Sequence, residues 1–236
     1  MAAPTDSARI NTNVTTASVT HNVNVGSPVI GTLLIVFSRF AADPGAVTFT
    51  GYTVLAGPDT SDASNDTTIL FYRWADGAEG ASDVCSPANS VKGAHLSWEI
   101  LGAEHPGSSP PQVSAVSVGT TTLDTATGNS VAPVMPPRDT LYLTMAAGDG
   151  EVGAYTAAPA SYGNLVTANS GTGGLPATNC FIGGASRQIL ASTSDDPGVF
   201  THAAHTTGWT AYTVAIAEAH VFPRHPATIF QDPALV

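Results

Sequence analysis

Histidines and carboxylates are the side chains here whose spacing invites chemistry. His202-Ala-Ala-His205 has the spacing of a ligand pair, and His220 and His225 follow. A zinc centre needs three or four converging ligands with groups behind them that orient each ring. No Cys or Glu stands beside the pair, so surface or turn histidines are the plainer reading. Asp59, Asp62 and Asp66 share one loop, Gly57 to Asp66, and clustered carboxylates can hold calcium. The loop lacks the glycine and the terminal Glu of an EF-hand, which favours a solvated turn over a weak metal site. Asp195-Asp196-Pro197 repeats the theme with fewer acids.

Glu99 and Glu104 invite comparison with a glycosidase pair. Glu99 falls in an alternating strand and Glu104 in a turn beyond Gly102, so the pairing is not expected. No HExxH, GxSxG or P-loop sequence occurs, and serine is too frequent in the loops for any one to stand out as a nucleophile. Tyr155 and Tyr162 lie in a long loop, where rings either stack on sugars or anchor the loop. Trp98 and Trp209 fall in strands and are expected in the core. Cys85 and Cys180 belong to no C-x-x-C pair. They read as small buried thiols, and sequence alone does not decide whether they pair. No constellation supports an enzyme, and no cofactor is expected.

The elements that must carry these residues are strands. Ser and Thr make up about a fifth of the chain, Gly and Pro (23 and 17) interrupt it every few residues, and no long segment keeps a helical period. Strands are predicted over 17–25, 32–40, 46–55, 67–74, 94–101, 112–118, 140–146, 188–192 and 209–217. Eight or nine short strands between turn signals predict an all-β chain, a jelly-roll-like antiparallel sandwich with extended terminal arms. An immunoglobulin-like sandwich is the rival, but about 220 residues is long for a unit of about 100. The segments 57–66 and 148–176 are expected to be long loops, a length at which loops usually carry function. The organisation is thus an N-terminal extended segment (1–16), a sandwich (17–219) and a Pro-rich C-terminal arm (220–236).

Composition narrows the partners. The formal charge is −11, with only 11% charged residues. That excludes the basic footprint of a nucleic-acid binder and argues against docking on anionic membranes. The longest apolar run, Val29 to Phe37, is too short to span a bilayer. Residues 1–16 carry neither the basic nor the apolar region of a secretory signal. The arm, with three prolines beside Phe222, Ile229 and Phe230, is too apolar for a solvated tail and too Pro-rich for a central strand. It is expected to lie on a neighbouring surface, with those three residues as its anchors.

The order of the motifs carries a resemblance. Gly31-Thr-Leu-Leu-Ile-Val-Phe-Ser is followed by Gly51-Tyr-Thr-Val-Leu, then Tyr72-Arg-Trp-Ala75, then Leu101-Gly-Ala-Glu-His-Pro106, and finally the aliphatic strand from Gly208. Over about residues 26–219 this series resembles a β-sandwich family of tailed-bacteriophage virion surface proteins, whether head decoration, fibre or tail module. Thr32 stands where that family usually has an acid. The resemblance implies a non-enzymatic structural module, located on the virion and made in the host cytoplasm. Its implied partners are other capsid or tail proteins and copies of itself. The alternative is an adhesin that binds host-surface glycan through Tyr155 and Tyr162.

Overall fold

Leu33–Phe40 (β3) is apolar almost throughout because it is covered on both faces. Leu33, Ile35 and Phe37 point into the main core, while Val36 and Phe40 point into a second cluster behind the sheet. The structure, a computed structural model, describes residues 3–60, 65–119, 126–150, 155–171, 178–202 and 208–219. Among these residues it is all-β, with sixteen strands rather than eight or nine.

The first sheet runs β1 (Thr5–Ser18), β8 (Val91–Leu101), β3, β6 (Thr67–Trp74) and β5 (Thr53–Thr60), with antiparallel neighbours. The second runs β10 (Ser117–Gly119), β16 (Trp209–Ala217), β11 (Arg138–Asp149), β14 (Cys180–Ser192) and β13 (Gly163–Asn169). The short β9 (Gln112–Val113) also pairs with β16. Residues 5–101 therefore build one sheet and 112–217 the other, with a single crossing at 102–111. Each of the two large sheets is drawn from one half of the chain, with the small outer sheets interleaved, whereas a jelly roll draws both of its sheets from both halves. The sandwich is as expected; the connectivity is its own.

Between the sheets, Leu96, Trp98 and Ile100 of β8 meet Leu143 and Met145 of β11, Ile182 of β14 and Val214 of β16. Two thinner layers cover the outer faces. A small sheet of β2 (His21–Asn24), β7 (Ser82–Pro87) and β4 (Val47–Phe49) buries Val23, Phe49 and Cys85 against Val36 and Phe71. On the other side, β12 (Tyr155–Ala157) pairs with β15 (Thr201–His202). There Tyr155, Tyr162 and Phe200 cover Tyr142 and Phe181.

The N-terminal extended segment forms, from Thr5, the edge strand β1. Its side chains reach across to the edge of the second sheet. The Asn11 Nδ2 donates to the Thr167 carbonyl at 2.9 Å, and the Asn169 N–H donates to Asn13 Oδ1 at 3.0 Å. The two asparagines thus stand in for a strand backbone along β13. The stretch 46–55 is also not one strand. It turns at Gly51 (φ +82°) and sends β4 and β5 into different sheets.

Candidate functional site

Behind the first sheet lies a chain of three side chains. Ser38 and His95 face the small sheet from neighbouring strands, being register partners in β3 and β8, and His21 reaches them from β2. His21 Nε2 lies 3.0 Å from the Val91 carbonyl, which can only accept, so that nitrogen carries the proton. His21 Nδ1 then accepts from His95 Nε2 at 2.9 Å, and His95 Nδ1 accepts from Ser38 Oγ at 2.8 Å. A hydroxyl on an imidazole is the beginning of a nucleophile–base pair. All three residues are fully buried, however, with Phe40 packed against both rings, so no substrate reaches the hydroxyl.

Burial first, then the neighbouring His21, pushes His95 down to about 3; burial also lowers His21, its backbone bonds only partly offsetting this. Both rings are therefore neutral in the fold, while an unfolded histidine takes its proton near pH 6.5. Because the unfolded chain binds more protons, stability present above about pH 6.5 is lost as pH falls towards about 3. For His95 alone the loss at about pH 5 is about 2 kcal/mol. Urea unfolding at about pH 7 and 5 should show it, and His95→Gln should flatten the difference. An unchanged pH dependence in that variant would show that the ring does not set it.

Each pole of the sandwich is closed by a buried arginine. Arg39 of β3 is ion-paired with Asp149 of β11, has Asp66 Oδ2 at 3.6 Å, and donates to Thr68 Oγ1 at 2.8 Å. Thr68 continues to Thr210 at 2.8 Å. At the opposite pole Arg138 of β11 pairs with Glu104 at 2.7 Å and donates to the Glu218 carbonyl. The signal for the first cluster lay in the sequence: a lone arginine in the apolar run Leu33–Phe40 must be paired if it is buried. Beside it, the Nζ of half-buried Lys92 donates to Asn179 Oδ1 at 2.9 Å.

The sequence-derived candidates separate. Asp66 belongs to the Arg39 cluster, Asp59 accepts a hydrogen bond from the Tyr212 hydroxyl, and Asp62 lies outside the described residues. Asp66 is thus a buried ion-pair partner rather than part of a solvated turn. Among the described residues no group of three or more His, Cys, Asp or Glu side chains is placed to hold a metal. Glu104 is held by Arg138. Glu99 accepts from the Val29 N–H at 2.7 Å and from Ser7 Oγ at 3.0 Å. Asp195, the other acidic turn, accepts from Tyr162 and pairs with Arg187 at 3.0 Å.

Tyr155 and Tyr162 are both buried, so neither offers a face for stacking. Tyr155 packs on Phe181, Phe200 and His202. The segment expected as a featureless loop, 148–176, contains β12 and β13 and helps to cover the second sheet. His202 stacks on Phe181 with ring centroids 4.5 Å apart; His205, His220 and His225 lie outside the described residues. Cys85 and Cys180 are free, buried in different clusters, and each thiol is pushed up to about 12, chiefly by burial. The arm anchors Phe222, Ile229 and Phe230 also fall outside the described residues.

The two poles differ in what borders them. The strand ends Thr60, Gly119, Asp149, Asn169 and Trp209 all lie at the Arg39 pole. At the Arg138 pole the described chain starts beside Leu101, and the Ala219 N–H donates to the Gly102 carbonyl at 2.9 Å. Val29, Ile30, Leu101, Met135 and Leu190 are exposed around that same pole, Ile30 and Leu190 at 70% and 71%. No protein-family model, curated protein or solved structure matches the chain.

Proposed function

We propose that the chain is a non-enzymatic structural module of a tailed-phage virion, docked to neighbouring subunits through its C-terminal arm. The observation that carries this reading is the polarity of the sandwich. Val29, Ile30, Leu101, Met135 and Leu190 are exposed around the Arg138 pole, and Ala219, the residue before the arm, is hydrogen-bonded there to Gly102. An apolar pole continuous with an apolar arm suits attachment, and the opposite pole is then presented outward. The sealing of Ser38 and the pairing of Glu104 support a role without catalysis. The adhesin alternative rested on Tyr155 and Tyr162 as stacking platforms, and burial of both rings removes that support.

The test is removal of residues 220–236. The shortened chain is expected to fold, with an unchanged circular-dichroism spectrum, and to be missing from purified particles that incorporate the full chain. Immunogold labelling of those particles then separates head from tail. Incorporation of the shortened chain at full occupancy would overturn attachment through the arm.

A further inference from the structure

Lys92 is the sole lysine of the chain, and it is aimed at one side-chain amide. It sits near the start of β8 in the first sheet. Asn179 immediately precedes β14 in the second and is fully buried. The Lys92 Nζ lies 2.9 Å from Asn179 Oδ1. Since a C=O bond is about 1.2 Å long, the amine is within about 4 Å of the amide carbon. Both partners are held from behind. The Lys92 carbonyl accepts from Ala41 N–H at 3.1 Å, and the Asn179 carbonyl accepts from Gly150 N–H at 3.0 Å.

We propose that Lys92 and Asn179 condense to an intramolecular isopeptide bond joining the two sheets. The half-buried Lys92 ammonium gives one proton to solvent, and the freed amine attacks Asn179 Cγ. As the Nζ–Cγ bond forms, a second proton moves from Nζ to Nδ2. The Cγ–Nδ2 bond breaks and ammonia leaves, collecting a proton from solvent as ammonium. Charge and atoms balance, and no oxidant or cofactor is required. The driving arrangement is proximity: fixing an amine against an amide replaces a bimolecular encounter with an intramolecular one.

Having a single lysine makes the test decisive. The purified full chain, denatured, is weighed intact and digested with a protease that cuts only after unmodified lysine. The expected mass is one ammonia below that of the sequence, and the chain stays whole. A free Lys92 would yield fragments 1–92 and 93–236. Lys92→Arg keeps the positive charge and a hydrogen-bond donor but supplies no competent amine, so it should show the full sequence mass; Asn179→Ala should do the same. A wild-type chain at full mass and cut after Lys92 overturns the proposal. So does a mass deficit that persists in Lys92→Arg, because the ammonia would then come from elsewhere.

Discussion

Replacing Asp149 with alanine is expected to destabilise the protein by about 3–5 kcal/mol, the usual cost of removing one partner from a buried ion pair. Arg39 is fully buried and cannot turn to water. Without Asp149 its guanidinium keeps Thr68 at 2.8 Å and Asp66 at 3.6 Å. A contact at the longer distance offsets less of the cost of taking a cation out of water. The double replacement Arg39→Met with Asp149→Leu should recover much of the loss, since apolar groups of similar volume often substitute for buried pairs without net cost. Urea denaturation of the three variants measures both effects. A single-variant loss below about 1 kcal/mol would mean that the guanidinium is hydrated rather than sealed.

The second large effect is expected at Trp98. It is fully buried at the centre of β8 and faces β14, where a Cβ on Gly184 would stand only 2.5 Å from its ring. Trp98→Ala should cost about 3–5 kcal/mol through lost burial and the cavity left between the sheets. Trp98→Phe should cost far less, because the indole N–H has no hydrogen-bond partner and an orphaned buried donor leaves with it. Gly184→Ala fails in the opposite direction. The rigid ring must move, at about 1–3 kcal/mol, and combining it with Trp98→Phe should cost less than the sum. Additive losses would show that ring and glycine do not share a contact.

These two sites also show what the sequence made legible. Apolar strands covered on both faces were readable: 67–74 and 209–217 match β6 and β16 residue for residue, and 32–40 misses β3 by one position. The edge strand β1 was not, because Thr-Asp-Ser-Ala-Arg-Ile-Asn-Thr-Asn has almost no apolar alternation to mark a buried face. The start of β14 carries Gly183-Gly184, two positions with no side chain to mark a strand face. They are in fact the places where Tyr155 and Trp98 press on opposite faces of the strand. The site residues divide similarly. Asp66 was singled out for its neighbours in sequence, yet its partner Arg39 comes from another strand. Ser38, His95 and His21 meet only once β2, β3 and β8 are stacked, and no local spacing announces that. Tyr155 and Tyr162 were placed in a long loop, 148–176, that in fact contains β12 and β13, and the folding of this segment back over the second sheet is a long-range effect.

The asparagine pair on β1 bears on how many copies of this chain can share a small space. A sheet edge offers a row of unpaired N–H and C=O groups, and an identical neighbour can dock there strand to strand, propagating without limit. Asn11 and Asn13 occupy such positions along β13 with side-chain amides, which satisfy the same groups but offer no backbone for a further strand to continue. Crowded at high local concentration, molecules closed in this way stay discrete along that flank instead of growing into fibres, and contact between copies is left to other surfaces.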